Sequence, residues 1–178
     1  MTRRRLLTIA AVVCPIAFSM GFPTVVRAQD STPGVIAIIV NPSNPVDNLT
    51  RSELRRIFMM ETQNWPHARK ITVVLEEKGQ PLRADVIRLI CGISEAEYDR
   101  HILLQTFRGS IGWGPRAIRT VDAIMRFVFN APGAIGYAPA AQANGTTKVL
   151  RIDGLRPIDP QYALRLPPPP APGRRPGP

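Results

Sequence analysis

Cysteine, histidine and acidic residues are all scarce in this chain. Its 178 residues include two cysteines and two histidines, and 13 acids stand against 23 lysines and arginines, a net charge of +10. Cys14 falls in the N-terminal leader described below, so Cys91 is the one thiol expected in the mature chain, which excludes an intramolecular disulfide. His67 and His101 have no Cys or His partner at metal-ligand spacing, and no metal site is expected. No Gly-x-Ser-x-Gly elbow is present, and Gly109-Ser110-Ile111-Gly112 lacks the Lys-Ser/Thr ending of a phosphate-cradling loop. Glu76 and Glu77 are adjacent, so at a strand end they point to opposite faces and cannot share one bond as general acid and base. Cys91, beside Leu89 and Ile90, reads as a small buried hydrophobe. A non-enzymatic chain without a cofactor is expected.

What is present at the N-terminus is a three-part leader. Arg3, Arg4 and Arg5 precede an apolar stretch broken by Pro15 and Pro23, and Val26-Arg27-Ala28 forms a small-residue cleavage site before Gln29. Residues 1–28 are therefore expected to be a signal peptide, placing the mature chain in the periplasm. Thr2-Arg3-Arg4-Arg5-Leu6-Leu7 resembles a twin-arginine signal, so both the Sec and twin-arginine routes stay open. Cleavage after Ala28 removes four arginines and no acid, and the charge falls to +6. An exported basic chain is expected to meet small anions or an anionic envelope surface, and no nucleic acid. Residues 166–178 are Pro-rich and end Gly-Arg-Arg-Pro-Gly-Pro, which reads as a disordered tail.

Between these ends, residues 29–165 read as one α/β domain. Val35 to Val40 is apolar and largely β-branched, as suits a strand covered on both faces. Thr50 and Glu53 make a capping box, with Leu49 and Leu54 placed as a hydrophobic staple. Leu54, Ile57 and Phe58 then share an inward face, and Arg51, Arg55 and Arg56 lie outside. Ile71 to Leu75 is a second strand. The loop Glu76 to Gln80 leads to Pro81 at a first helical position, followed by Leu82, Val86, Leu89 and Ile90 inward and a stop at Gly92. Ser94 and Glu97 form a second capping box, opening a helix to Phe107 with Tyr98, Ile102 and Phe107 on its apolar face. Arg108 to Pro115 reads as a loop, Thr120 caps a helix carrying Val121, Ile124, Met125 and Val128, and strands follow at 134–138 and 148–152. A mostly parallel sheet flanked by helices is expected.

Several of these motifs occur in series: Ile38-Ile39-Val40-Asn41-Pro42, Leu49-Thr50 with Leu54 and Ile57-Phe58, Trp65-Pro66, and Pro132-Gly133-Ala134-Ile135-Gly136-Tyr137. Together they resemble the phosphate-binding proteins of ABC importers, type 2 periplasmic binding proteins, over about residues 35–153. The resemblance implies a single periplasmic-binding-protein-like lobe. It implies phosphate or another small oxyanion as ligand, and an ABC transporter or envelope partner. The family's ligand loop resembles Arg-x-x-x-Ser-Gly-Thr at a helix start. The corresponding stretch is Glu76-Glu77-Lys78-Gly79-Gln80-Pro81-Leu82-Arg83, without the serine or threonine. Lys78, Gly79, Gln80, Leu82 and Arg83 are the expected ligand residues, because helix amides after Gln80 and the two cations favour an anion there. A lone lobe lacks a second wall, so binding is expected to be weak. A second reading stays open: an envelope protein-interaction module that has kept the fold and lost ligand binding, with Arg51, Arg55, Arg56 and the tail as its surface.

Overall fold

The computed structural model describes residues 34–167, apart from Ala68 and Asn144. The expected leader, its cleavage site after Ala28 and the tail beyond Pro167 lie outside the described residues. In chain order the elements are β1 (Ile36–Val40), β2 (Asn48–Leu49), α1 (Arg51–Phe58), β3 (Thr72–Glu76), α2 (Pro81–Cys91), α3 (Glu95–Phe107), β4 (Arg116–Ile118), α4 (Val121–Asn130), β5 (Ala134–Pro139), β6 (Lys148–Val149) and β7 (Arg151–Ile152). None of the described helices is long and apolar enough to cross a membrane.

The main sheet has the order β4-β3-β5-β1-β6. β3 pairs in parallel with both β4 and β5, while β1 pairs antiparallel with β5 and β6. Four strands thus run one way and β1 alone runs against them, a mixed α/β sheet that is mostly parallel in direction. Every residue of β1 is buried, as a strand covered on both faces requires. α4 packs against β5, β3 and β1. Its Ile124 and Val128 lie directly over Gly136, where a Cβ would come within 2.8 Å of Ile124. α1, α2 and α3 form a second helical layer, with α2 against β3.

The helix starts form as their residues dictate. Thr50 accepts from the Glu53 amide while the Glu53 carboxylate accepts from the Thr50 amide, and Ser94 and Glu97 repeat the arrangement on α3. Leu49 and Leu54, the expected staple pair, are both buried, as are Ile57 and Phe58. Asn41 ends β1 by turning its amide onto the last carbonyls of α4, donating to Val128 O and Phe129 O. Its Oδ1 meanwhile accepts from the Ser43 amide.

Several details differ from the sequence reading. β2 and β4 are not in the expected order of elements, and Lys148 to Ile152 is divided at Leu150 so that β7 leaves the main sheet to pair with β2. Phe107, placed inward by helical period, is 81% exposed, and none of the described elements covers it. The fold continues past 165: Leu166 N donates to Gly34 O and Ile36 N to Leu164 O, so this last stretch runs antiparallel beside the start of β1.

Candidate functional site

β3, β4 and β5 end on the same side of the sheet, and β3 delivers the chain there into the loop that precedes α2. In open α/β sheets, ligands bind outside the carboxyl ends of the strands. Glu76 is the last residue of β3 rather than the first of the loop. Gly79 makes the turn at φ +87°, a left-handed conformation in which a side chain is strained. Gln80 is the N-cap of α2 in extended conformation, and its side chain makes no capping bond. α1, α3 and α4 are each capped by a hydroxyl, so α2 alone among the described helices leaves its N-terminal end without a side-chain cap. Pro81 has no N–H and the Arg83 amide reaches Gln80 O at 3.3 Å, which leaves the Leu82 amide as the free first-turn donor.

Both cations of the loop meet acids of α3, Arg83 from a buried position and Lys78 through one exposed ion pair. Arg83 is 8% exposed, and its guanidinium is spent in three directions. Nε donates to Glu95 Oε1 at 2.6 Å, Nη2 to Asp99 Oδ1 at 2.8 Å and Nη1 to the Glu76 carbonyl at 2.9 Å. Lys78 is exposed and its Nζ lies 3.0 Å from Asp99 Oδ2. Asp99 thus gathers Lys78 and Arg83, while Leu82 is half-buried against the core. Glu95 and Asp99 were absent from the expected site. They stand one helical turn apart on α3, a spacing that puts both carboxylates on the face toward α2. Glu77 adds a further acid, 3.8 Å from Arg119.

Glu76 lies at the floor of this region. It is 5% exposed, and the Tyr137 hydroxyl accepts from its amide at 3.1 Å and donates to its Oε2 at 3.3 Å. Burial pushes the Glu76 carboxyl above the ordinary glutamate range, and the Tyr137 hydrogen bond only partly opposes this. The folded chain therefore holds this proton at pH values where the unfolded chain has lost it. Stability contributed by the protonated form falls as pH rises above the unfolded value of 4.5. Glu76→Gln is expected to resist urea better than the parent at about pH 7 and equally at about pH 3, where both forms are neutral. Urea unfolding at the two pH values checks this, and a destabilised variant at neutral pH would contradict it.

Among the described residues no group of three or more His, Cys, Asp or Glu side chains is placed to hold a metal. Cys91 is buried, and desolvation pushes its thiol up to about 12, which suits a packed rather than a reactive sulfur. Arg51 and Arg55, expected on the solvent face of α1, are exposed but reach across to α2. Arg55 Nε donates to Cys91 O at 3.0 Å and Arg51 Nη2 to Leu89 O at 3.3 Å, supplying donors to the last carbonyls of that helix.

No family model matches the sequence. Solved structures do match the fold. An ABC-type phosphate transport receptor from Vibrio cholerae aligns with a TM-score of 0.61 and 21% identity, over 74% of this chain and 53% of its own. PstS from Borrelia burgdorferi aligns at 0.59 with 15% identity, over 75% and 55%. A phosphate-bound protein from Clostridium perfringens, assigned to phosphate ABC transport, aligns at 0.57 with 23% identity, over 69% and 46%. At these identities the likeness is one of fold, and the chain spans about half the length of each neighbour. Its mixed α/β architecture is thus similar to about half of a phosphate transport receptor, as its motifs in series suggested.

Proposed function

We propose that this chain is an exported, non-enzymatic, binding-protein-like domain that takes a small oxyanion weakly at the loop Lys78 to Arg83. The observation that supports it is the uncapped start of α2 at the carboxyl end of β3, in a fold shared with phosphate transport receptors. The contacts available to the anion are the Leu82 amide, the helix dipole and the Lys78 ammonium. Arg83 contributes by fixing α2 against α3, since its own donors are engaged. Glu77 on the loop and Glu95 and Asp99 on the facing helix lie close to this region, and their charge opposes a dianion. Binding is accordingly expected in the high micromolar to millimolar range, about 4 to 6 kcal/mol, and weaker as salt rises.

Titration calorimetry with phosphate, sulfate and molybdate at low salt tests the reading. Gln80→Asp would place a carboxylate on the Leu82 amide, occupying it internally, and is expected to abolish the heat while leaving the fold intact. No heat from any of the three at millimolar concentration would remove ligand binding and leave the fold alone.

One observation favours the interaction-module reading instead. Leu103, Leu104 and Phe107 on α3 are exposed together, and large apolar side chains grouped in this way mark contact surfaces. On that reading the partner is an envelope or ABC transporter protein, and charge substitutions on α3 release it while the Gln80→Asp variant keeps it.

A further inference from the structure

A second recess lies at the other end of β3, about 13 Å from the loop by the rise of a five-residue strand. It is a groove of about 380 Å³ between the start of β3 at Thr72 and Val73 and the turn Gly112-Trp113-Gly114 that leads into β4. Two cations, Lys70 and Arg116, line it, and no acid does. Among the described residues neither has a carboxylate at ion-pair distance, unlike Lys78 and Arg83. Each lies against a ring instead: Lys70 Nζ is 5.7 Å from the Trp113 ring centre, and the Arg116 guanidinium is 4.8 Å from that of Phe127. Trp113 itself is 73% exposed, a large flat apolar wall left open to water.

These features complement one kind of ligand. The volume falls within the range of small-molecule sites, about 300 to 1,000 Å³, and greatly exceeds what an inorganic oxyanion fills. Two cations with no carboxylate at ion-pair distance among the described residues call for negative charge, and an exposed indole face calls for a planar apolar group to stack on it. We propose that this groove binds a small planar organic anion, an aromatic ring carrying a carboxylate, with the ring on Trp113 and the carboxylate between Lys70 and Arg116. The site does not depend on the oxyanion loop, which is built from other residues at the opposite end of the strand.

Nuclear magnetic resonance of the two indole N–H groups of the intact chain tests this. Trp65 is buried with its Nε1 donating to Gly133 O at 3.1 Å, so its signal reports the fold, while Trp113 reports the groove. 2-Naphthoate is expected to shift the Trp113 signal saturably and leave that of Trp65 in place. Lys70→Gln and Arg116→Gln should each weaken the affinity about tenfold, one charged contact apiece. 2-Naphthamide, with the ring and no charge, and inorganic phosphate, with charge and no ring, should each bind at least about tenfold more weakly than 2-naphthoate. A Trp113 signal that does not saturate, equal binding of the amide or of phosphate, or unchanged affinity in both variants with the Trp65 signal intact would overturn the proposal.

Discussion

Phe58→Ala is expected to lower the unfolding free energy by about 3 to 5 kcal/mol, the range for emptying a buried aromatic site. Phe58 is fully buried at the end of α1, and its backbone carbonyl accepts the Tyr98 hydroxyl at 2.7 Å, so the same residue ties α1 to α3. Its side chain belongs to the buried core, and close-packed surroundings leave little collapse to fill the cavity. Arg55→Ala serves as the contrast. Sequence period alone puts Arg55 on a solvated face, where its loss would cost under about 0.5 kcal/mol. Its bond to Cys91 O raises that expectation to about 1 kcal/mol, a typical net hydrogen bond. Urea unfolding of the two variants distinguishes the positions, and equal losses would show that α1 presents a different face to the core.

The second large effect is expected at Arg83. Arg83→Met should cost about 3 kcal/mol, because removing one member of a buried ion-pair cluster leaves the others without compensation. Glu95 and Asp99 would face each other across the gap, and the Glu76 carbonyl would lose its donor. The partial exposure of both carboxylates holds the cost toward the low end of that range. Arg83→Lys should recover only part of the loss, since an ammonium cannot span three acceptors in the geometry of a guanidinium fork. Thermal unfolding with oxyanion calorimetry on the same samples separates stability from binding. A variant that keeps its stability but loses oxyanion heat would show that Arg83 acts on the ligand directly.

What could be read from the sequence divides along the distance over which each feature is specified. The starts of α1, α3 and α4 were legible because Thr50 with Glu53, Ser94 with Glu97, and Thr120 satisfy amides within their own first turns. The strands β1, β3 and β5 were legible as apolar runs. Their relative direction was not, since a run buried on both faces carries no mark of whether its neighbour is parallel. β4 escaped because Arg116-Ala117-Ile118 has neither length nor apolar pattern; it is a strand only through its pairing with Val74 to Glu76. The candidate loop shows the same limit. Gly79 and the open start of α2 were readable locally, whereas the engagement of Arg83 depends on acids 12 and 16 residues further on, brought close by helix packing. Phe107 failed for the complementary reason: helical period gave it a direction, and no described element covers it.

The antiparallel zipper of Gly34 to Ile36 with Leu164 to Leu166 makes the domain portable. Its entry and exit leave side by side, separated by about 5 Å, the spacing of neighbouring strands. A host protein could therefore carry it as an insert in a surface hairpin with little strain on either partner. Pulling on the two ends would load these paired bonds one after another, so the domain would open from this seam by unzipping rather than by shear.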